Sequence, residues 1–172
     1  MSAYRRYDLQ FFTATILEWK FLLVGDRYKD IIIDSLRFLV KEQRIYLCAF
    51  VIMGNHIHIV WHIIHPHTEE EVQRDFLRFT AQMMIKEMRN SDPGLLETFK
   101  VEARDRKYQV WERNSLTVPL RSEAVVEQKI NYIHNNPVRA GLCHIAEDYK
   151  YSSAGYYETG VDTFGFMMHY KD

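Results

Sequence analysis

The chain has 172 residues, 47% of them hydrophobic and 26% charged, with a formal net charge of −1. That is enough sequence for one domain with its own core, and so small a net charge excludes a protein held to nucleic acid by bulk electrostatics alone. No apolar run reaches the roughly 18 residues of a membrane span, and MSAYRRYDLQ lacks the apolar stretch of a signal peptide, so a cytoplasmic location is expected, with Cys48 and Cys143 as reduced thiols. Local charge is less even. Acid gathers at Glu69, Glu70 and Glu71, and base at Arg5 and Arg6 and again through Lys100, Arg104, Arg106, Lys107 and Arg113.

In chain order, LQFFTATILE over 9–18 is β-branched and aromatic and predicts a strand. Ile32, Ile33, Leu36, Leu39 and Val40 recur at helical spacing, predicting a helix over 28–42 with one buried stripe. RIYLCAFVIM over 44–53 is apolar on both faces, as in a central strand. A turn at Gly54-Asn55 leads into a strand over 56–64. Thr68 and Glu71 form a capping-box signature, with Val72, Phe76, Phe79 and Met83 following at helical spacing. NSDPG at 90–94 reads as a turn, and YQVW at 108–111 as a short strand. A helix from 123 should bury Val126, Ile130 and Ile133 and end at Pro137. This order predicts an α+β fold, a split βαβ sandwich of the ferredoxin-like or RRM-like kind. Its antiparallel sheet would carry helices on one face and leave the other open.

Two pieces of sequence are not explained by packing. In VIMGNHIHIVWHI, strand alternation sets Ile57, Ile59, Trp61 and Ile63 on one face and His56, His58, Val60 and His62 on the other. His56 and His58, two apart on a strand, can converge on a divalent metal. A histidine-triad hydrolase would need histidine where Val60 stands. A metallo-β-lactamase-like site would need Asp-His soon after the pair. In NYIHNNPVRAGL over 131–142, Tyr132 and Asn136 share one helix face, with Gln128 a turn earlier. Tyr132 is the candidate nucleophile. Asn136 is the candidate third metal ligand, and Gln128 the alternative, because a residue before proline is biased away from helical geometry.

Together the two blocks resemble the single-tyrosine HUH transposases (U being a bulky apolar residue), in the REP-associated tyrosine transposase branch. YRRY at 4–7, DFLRFTAQ at 75–82, WERN at 111–114 and DYKYSSAGYY at 148–157 extend the resemblance over most of the chain. Gly54 departs from it, since relatives often have proline there. The resemblance implies one HUH domain over 1–172, with a DNA-contacting segment at 1–10, a catalytic tyrosine helix at 121–137 and a C-terminal tail at 143–172. It implies that His56, His58 and Asn136 hold Mg²⁺ or Mn²⁺, and that Tyr132 attacks a phosphate of single-stranded DNA beside a hairpin. A 5′-phosphotyrosine link and a free 3′-hydroxyl result. Tyr4, Arg5, Arg6, Lys107, Trp111 and Arg113 are the expected DNA contacts, the cations on phosphates and the aromatics under unpaired bases. The expected partners are single-stranded and hairpin DNA, with no membrane and no small-molecule substrate. The tyrosine serves its own subunit or, in a homodimer, its partner's. The alternative is a domesticated hairpin-binding regulator of DNA or RNA with little catalysis. Plasmid relaxases and initiators share the chemistry but usually carry further domains, and a metallohydrolase unrelated to nucleic acid is more distant.

Overall fold

Strand-forming segments separated by two amphipathic helices assemble into a single antiparallel sheet. The computed structural model describes residues 8–172. Its strands are β1 (Leu9–Thr15), β2 (Ile45–Ile52), β3 (His56–Ile63) and β4 (Leu116–Leu120), in spatial order β2-β3-β1-β4. The α-helices among the described residues are α1 (Asp26–Lys41), α2 (Glu69–Ser91), α3 (Pro93–Glu97), α4 (Glu123–Arg139) and α5 (Ala154–Thr159). The β-α-β-β-α-β order with this strand arrangement is the ferredoxin-like split βαβ sandwich that the sequence pattern implies.

Strand alternation decides which residues meet which helix. Phe12, Ile57, Ile59 and Trp61 face α1 and α2 in the larger core, with Ile32, Leu36, Phe76 and Met84. Trp61 is fully buried and stacks on Phe12 at 5.1 Å between ring centroids. Leu9, Phe11, Val51 and Val60 face the other way and form a second core with Val126, Ile130 and Ile133 of α4. The histidine-bearing face is therefore not bare. The apolar stripe of α4 needs a surface, and Phe11 and Val60 supply it.

Three local expectations are corrected. β2 is an outer strand rather than a central one. Its free edge is covered by the C-terminal segment, which bridges at Val51–Ser152 and Leu47–Met167 and adds Ile52 N–H to Tyr151 O (2.9 Å) and Met168 N–H to Leu47 O (2.9 Å). The residues read as a tail thus close an edge that would otherwise pair with another chain. The segment 108–111 makes only single bridges, at Lys100–Tyr108 and Ile16–Trp111. The fourth strand is 116–120, hidden from pattern reading by Pro119, which an edge strand tolerates. Finally, Pro137 does not end α4. The helix runs to Arg139 and closes with Ala140 N–H on Asn136 O (3.0 Å) and Leu142 N–H on Pro137 O (2.9 Å). Gly141 provides the left-handed turn at φ +74. Asn136 consequently keeps helical geometry and stays on the face of Tyr132.

Candidate active site

His56 and His58 leave β3 on the α4 side with ring centroids 4.8 Å apart. Each imidazole is held through Nδ1. His58 Nδ1 lies 2.7 Å from Thr13 Oγ1, the residue directly opposite it on β1. His56 Nδ1 lies 2.7 Å from Asn55 Oδ1. The Asn55 oxygen can only accept, so the His56 proton sits on Nδ1 and Nε2 carries a lone pair. Such partners on the far nitrogen are how metal-binding histidines are oriented. His58 Nε2 is buried with no hydrogen-bond partner, an arrangement that destabilises the fold unless something fills it.

The third donor comes from α4. The Asn136 Nδ2–H group donates to His56 Nε2 at 3.3 Å, so holding a metal requires the amide to turn its oxygen inward. Gln128, the alternative, is exposed one turn before Tyr132 and makes no hydrogen bond to either histidine. Two imidazole nitrogens and an amide suit a divalent cation with positions left over for oxygen ligands from a substrate. Among the described residues no three His, Cys, Asp or Glu side chains converge, so a metal here would depend on the amide.

Tyr132 stands on the same side, 43% exposed, its ring edge-on to His58 at 5.4 Å and to Phe11 at 6.2 Å. The Arg139 guanidinium lies over its ring at 4.5 Å, and Lys129 Nζ at 5.9 Å. Sequence reasoning missed Thr13, Asn55, Lys129 and Arg139. The cations could have been found by helical spacing from Tyr132. Thr13 needed the strand register.

Burial pushes both site imidazoles toward the neutral form that a metal requires. His56 lies below its ordinary value through burial. His58 is pushed down to about 3, first by burial and then by His56, Lys129 and Arg139. His134, on the buried side of α4, is pushed down to about 4 by burial and lies 2.8 Å from Ser153 Oγ. As pH falls below the ordinary 6.5, the unfolded chain takes protons that the folded chain refuses. The stability held by His134 is complete above about pH 6.5 and is lost toward about pH 4. The melting temperature should therefore drop between about pH 7 and about pH 5, and drop less in His134→Leu. Ser153 Oγ keeps a partner in that variant, since Phe50 N–H donates to it at 3.0 Å. Equal losses in both proteins would contradict the assignment.

The remaining sequence candidates divide. Trp111 is corrected: it is 5% exposed, and its Nε1–H donates to Thr80 Oγ1 at 3.0 Å inside the core. Apolar packing claims most of the ring, and only its rim reaches the groove described next. Lys107 and Arg113 do share a surface. With Arg74, Arg78, Arg89 and Arg106 they line a groove of about 850 Å³ between α2 and the 105–113 segment, where Asp105 and Glu112 are the only carboxylates. His62 stacks on Tyr46 at 5.9 Å rather than joining the pair. Tyr4, Arg5 and Arg6 lie outside the described residues.

No protein-family model and no curated protein sequence matches the chain. Solved structures do. A REP-associated tyrosine transposase, solved bound to a REP hairpin, superposes with a TM-score of 0.67 at 16% identity, covering 100% of this chain and 94% of that one. The fold is that of this transposase. A protein of Deinococcus radiodurans R1 assigned as a transposase superposes with a TM-score of 0.51 at 16% identity, over 74% of this chain and 88% of that one. At such identity the likeness is one of fold, and residue roles rest on the geometry above. No helix among the described residues is long and apolar enough to cross a membrane.

Proposed function

We propose that the chain is a metal-dependent single-tyrosine HUH transposase that cuts and rejoins single-stranded DNA beside hairpins. One observation carries the reading: an exposed tyrosine stands edge-on to a buried histidine with an unpartnered Nε2, and a helical amide faces its neighbour His56. A chain with this fold has been solved on a REP hairpin, which favours hairpin DNA as substrate here. The whole of 1–172 is read as one such domain.

In the proposed reaction the Tyr132 hydroxyl gives up its proton and its oxygen attacks the scissile phosphorus. The bond from phosphorus to the 3′ oxygen breaks, the 3′ oxygen takes up a proton, and the 5′ phosphate remains on the tyrosine. One ester replaces another, so the reverse attack by a 3′-hydroxyl rejoins DNA with no external energy source. His56, His58 and Asn136 would hold Mg²⁺ or Mn²⁺, which when bound supplies a Lewis acid for a phosphate oxygen. Lys129 and Arg139 offer positive charge beside the nucleophile, where phosphate charge must be held. The groove lined by Arg74, Arg78, Arg89, Arg106, Lys107 and Arg113 suits a phosphate backbone, contacts that position DNA without reading its sequence.

The test is a denaturing gel of the protein incubated with single-stranded DNA from either side of its own gene, with Mn²⁺. The expected result is a covalent protein–DNA adduct that is abolished by a chelator. A salt-sensitive shift on a native gel without any adduct would instead favour the binding-only regulator.

A further inference from the structure

We infer that Trp19 is the stacking surface for an unpaired nucleobase next to the phosphate that Tyr132 attacks, an inference that rests on the function proposed above. The chain has three tryptophans. Trp61 and Trp111 are buried, whereas Trp19 is 61% exposed. Among the described residues its one ring neighbour is His56, edge-on at 6.3 Å. The indole thus borders the proposed metal site and is mostly exposed.

The backbone that presents this ring is strained. Glu18 and Trp19 lie in succession at φ 55 and φ 57, a region that residues with a Cβ avoid and that persists only where the surroundings impose it. Here they do. Ile16 N–H donates to Asn55 O at 2.8 Å, and Leu17 N–H to Val110 O at 2.7 Å. Glu18 N–H donates to Glu112 Oε1 at 2.6 Å, and Trp19 N–H to Ile16 O at 2.9 Å. Lys20 Nζ donates to Thr98 O at 2.6 Å. Packing gives no reason to fix an exposed indole so firmly, since the ring is not part of either core.

Contacts on either side say what the ring would meet. Asn55, which holds the His56 ring, also holds Ile16 at the start of the turn. Glu112, which holds the end of the turn at Glu18, lines the basic groove. The turn therefore stands between the groove suited to phosphates and the histidine pair. A single strand running from one to the other passes the indole with its bases free. Every base has a π-face, so an aromatic platform accepts any of them. Gly54 fits the same construction: a Cβ there would come within 3.0 Å of the Phe21 ring and 3.2 Å of Val24, displacing the segment that follows Trp19.

The test uses the full chain. All three indoles fluoresce, so the Trp19 signal is taken as the difference between the parent and Trp19→Phe. Titration with oligothymidylate should quench it, and blunt duplex DNA should not. Trp19→Ala should raise KM for adduct formation on a single-stranded hairpin by about tenfold, a larger change than in kcat, and Trp19→Phe should recover most of it. An abasic nucleotide beside the scissile phosphate should reproduce the loss in the parent and add nothing in Trp19→Ala. An unchanged KM in Trp19→Ala, or an abasic penalty equal in both proteins, would overturn the inference. Absence of any adduct from the parent protein would count against the proposed function alone. The quenching titration needs no catalysis and still decides on stacking: no quenching by single strands overturns it.

Discussion

Tyr132→Phe should fold as the parent does and form no covalent adduct with DNA. The side chain is 43% exposed. Phenylalanine keeps its edge contacts with His58 and Phe11 and the guanidinium of Arg139 over the ring. Loss of the hydroxyl at such a site changes stability by no more than about 0.5 kcal/mol. Chemistry loses its nucleophile outright, and removal of a nucleophile lowers rates by about 10⁴ or more. Binding to the hairpin should stay within about twofold, because phosphate contacts from the arginines and lysines supply most of the affinity. The combination separates the candidate activities. A hydrolase that uses metal-activated water would hardly notice the change, so persistent cleavage by Tyr132→Phe, measured on a denaturing gel, would sink the phosphotyrosine reading.

Much of this site was readable because strand and helix periodicities are strict. Alternation along 56–63 put His56 and His58 opposite Ile57, Ile59 and Trp61, and the structure keeps that division. Helical spacing put Tyr132 and Asn136 on one face and Val126, Ile130 and Ile133 on the other, and those three are buried. What escaped was long-range. Thr13 meets His58 only because β1 and β3 pair in one register, and nothing near Thr13 announces it. Trp111 sits between cations in sequence and reads as a base-stacking aromatic, yet its ring packs beneath α2 against Thr80. β4 escaped because Pro119 argues against a strand unless its edge position is known. The covering of the histidine face by α4 was legible only in half. Its buried stripe was visible, but the surface receiving it was not.

Thr13→Val combined with His58→Leu should give a protein more stable than the parent and inactive. His58 is 6% exposed and carries an Nε2 with no partner, while Nδ1 is tied to Thr13 Oγ1 at 2.7 Å. His58→Leu alone would take the partner from the half-buried Thr13 hydroxyl, which costs up to about 1 kcal/mol at such a site. Replacing both partners by apolar groups of similar size removes the stranded hydroxyl and the orphan nitrogen together. Leucine at 58 would lie against Phe11, which now stacks on the imidazole at 5.2 Å. The expected gain is about 1 kcal/mol near neutral pH. The gain should grow as pH falls below about 6.5, because the parent then loses stability at an imidazole held to about 3 when folded. Denaturant midpoints near pH 7 and near pH 5 would measure both effects, and adduct formation should fall to background. A double variant less stable than the parent would mean that the orphan nitrogen is not a liability. A double variant that still forms the adduct would remove His58 from the metal site. If both expectations hold, the chain keeps a destabilising imidazole on its central sheet, and chemistry at that position is the reason selection tolerates it.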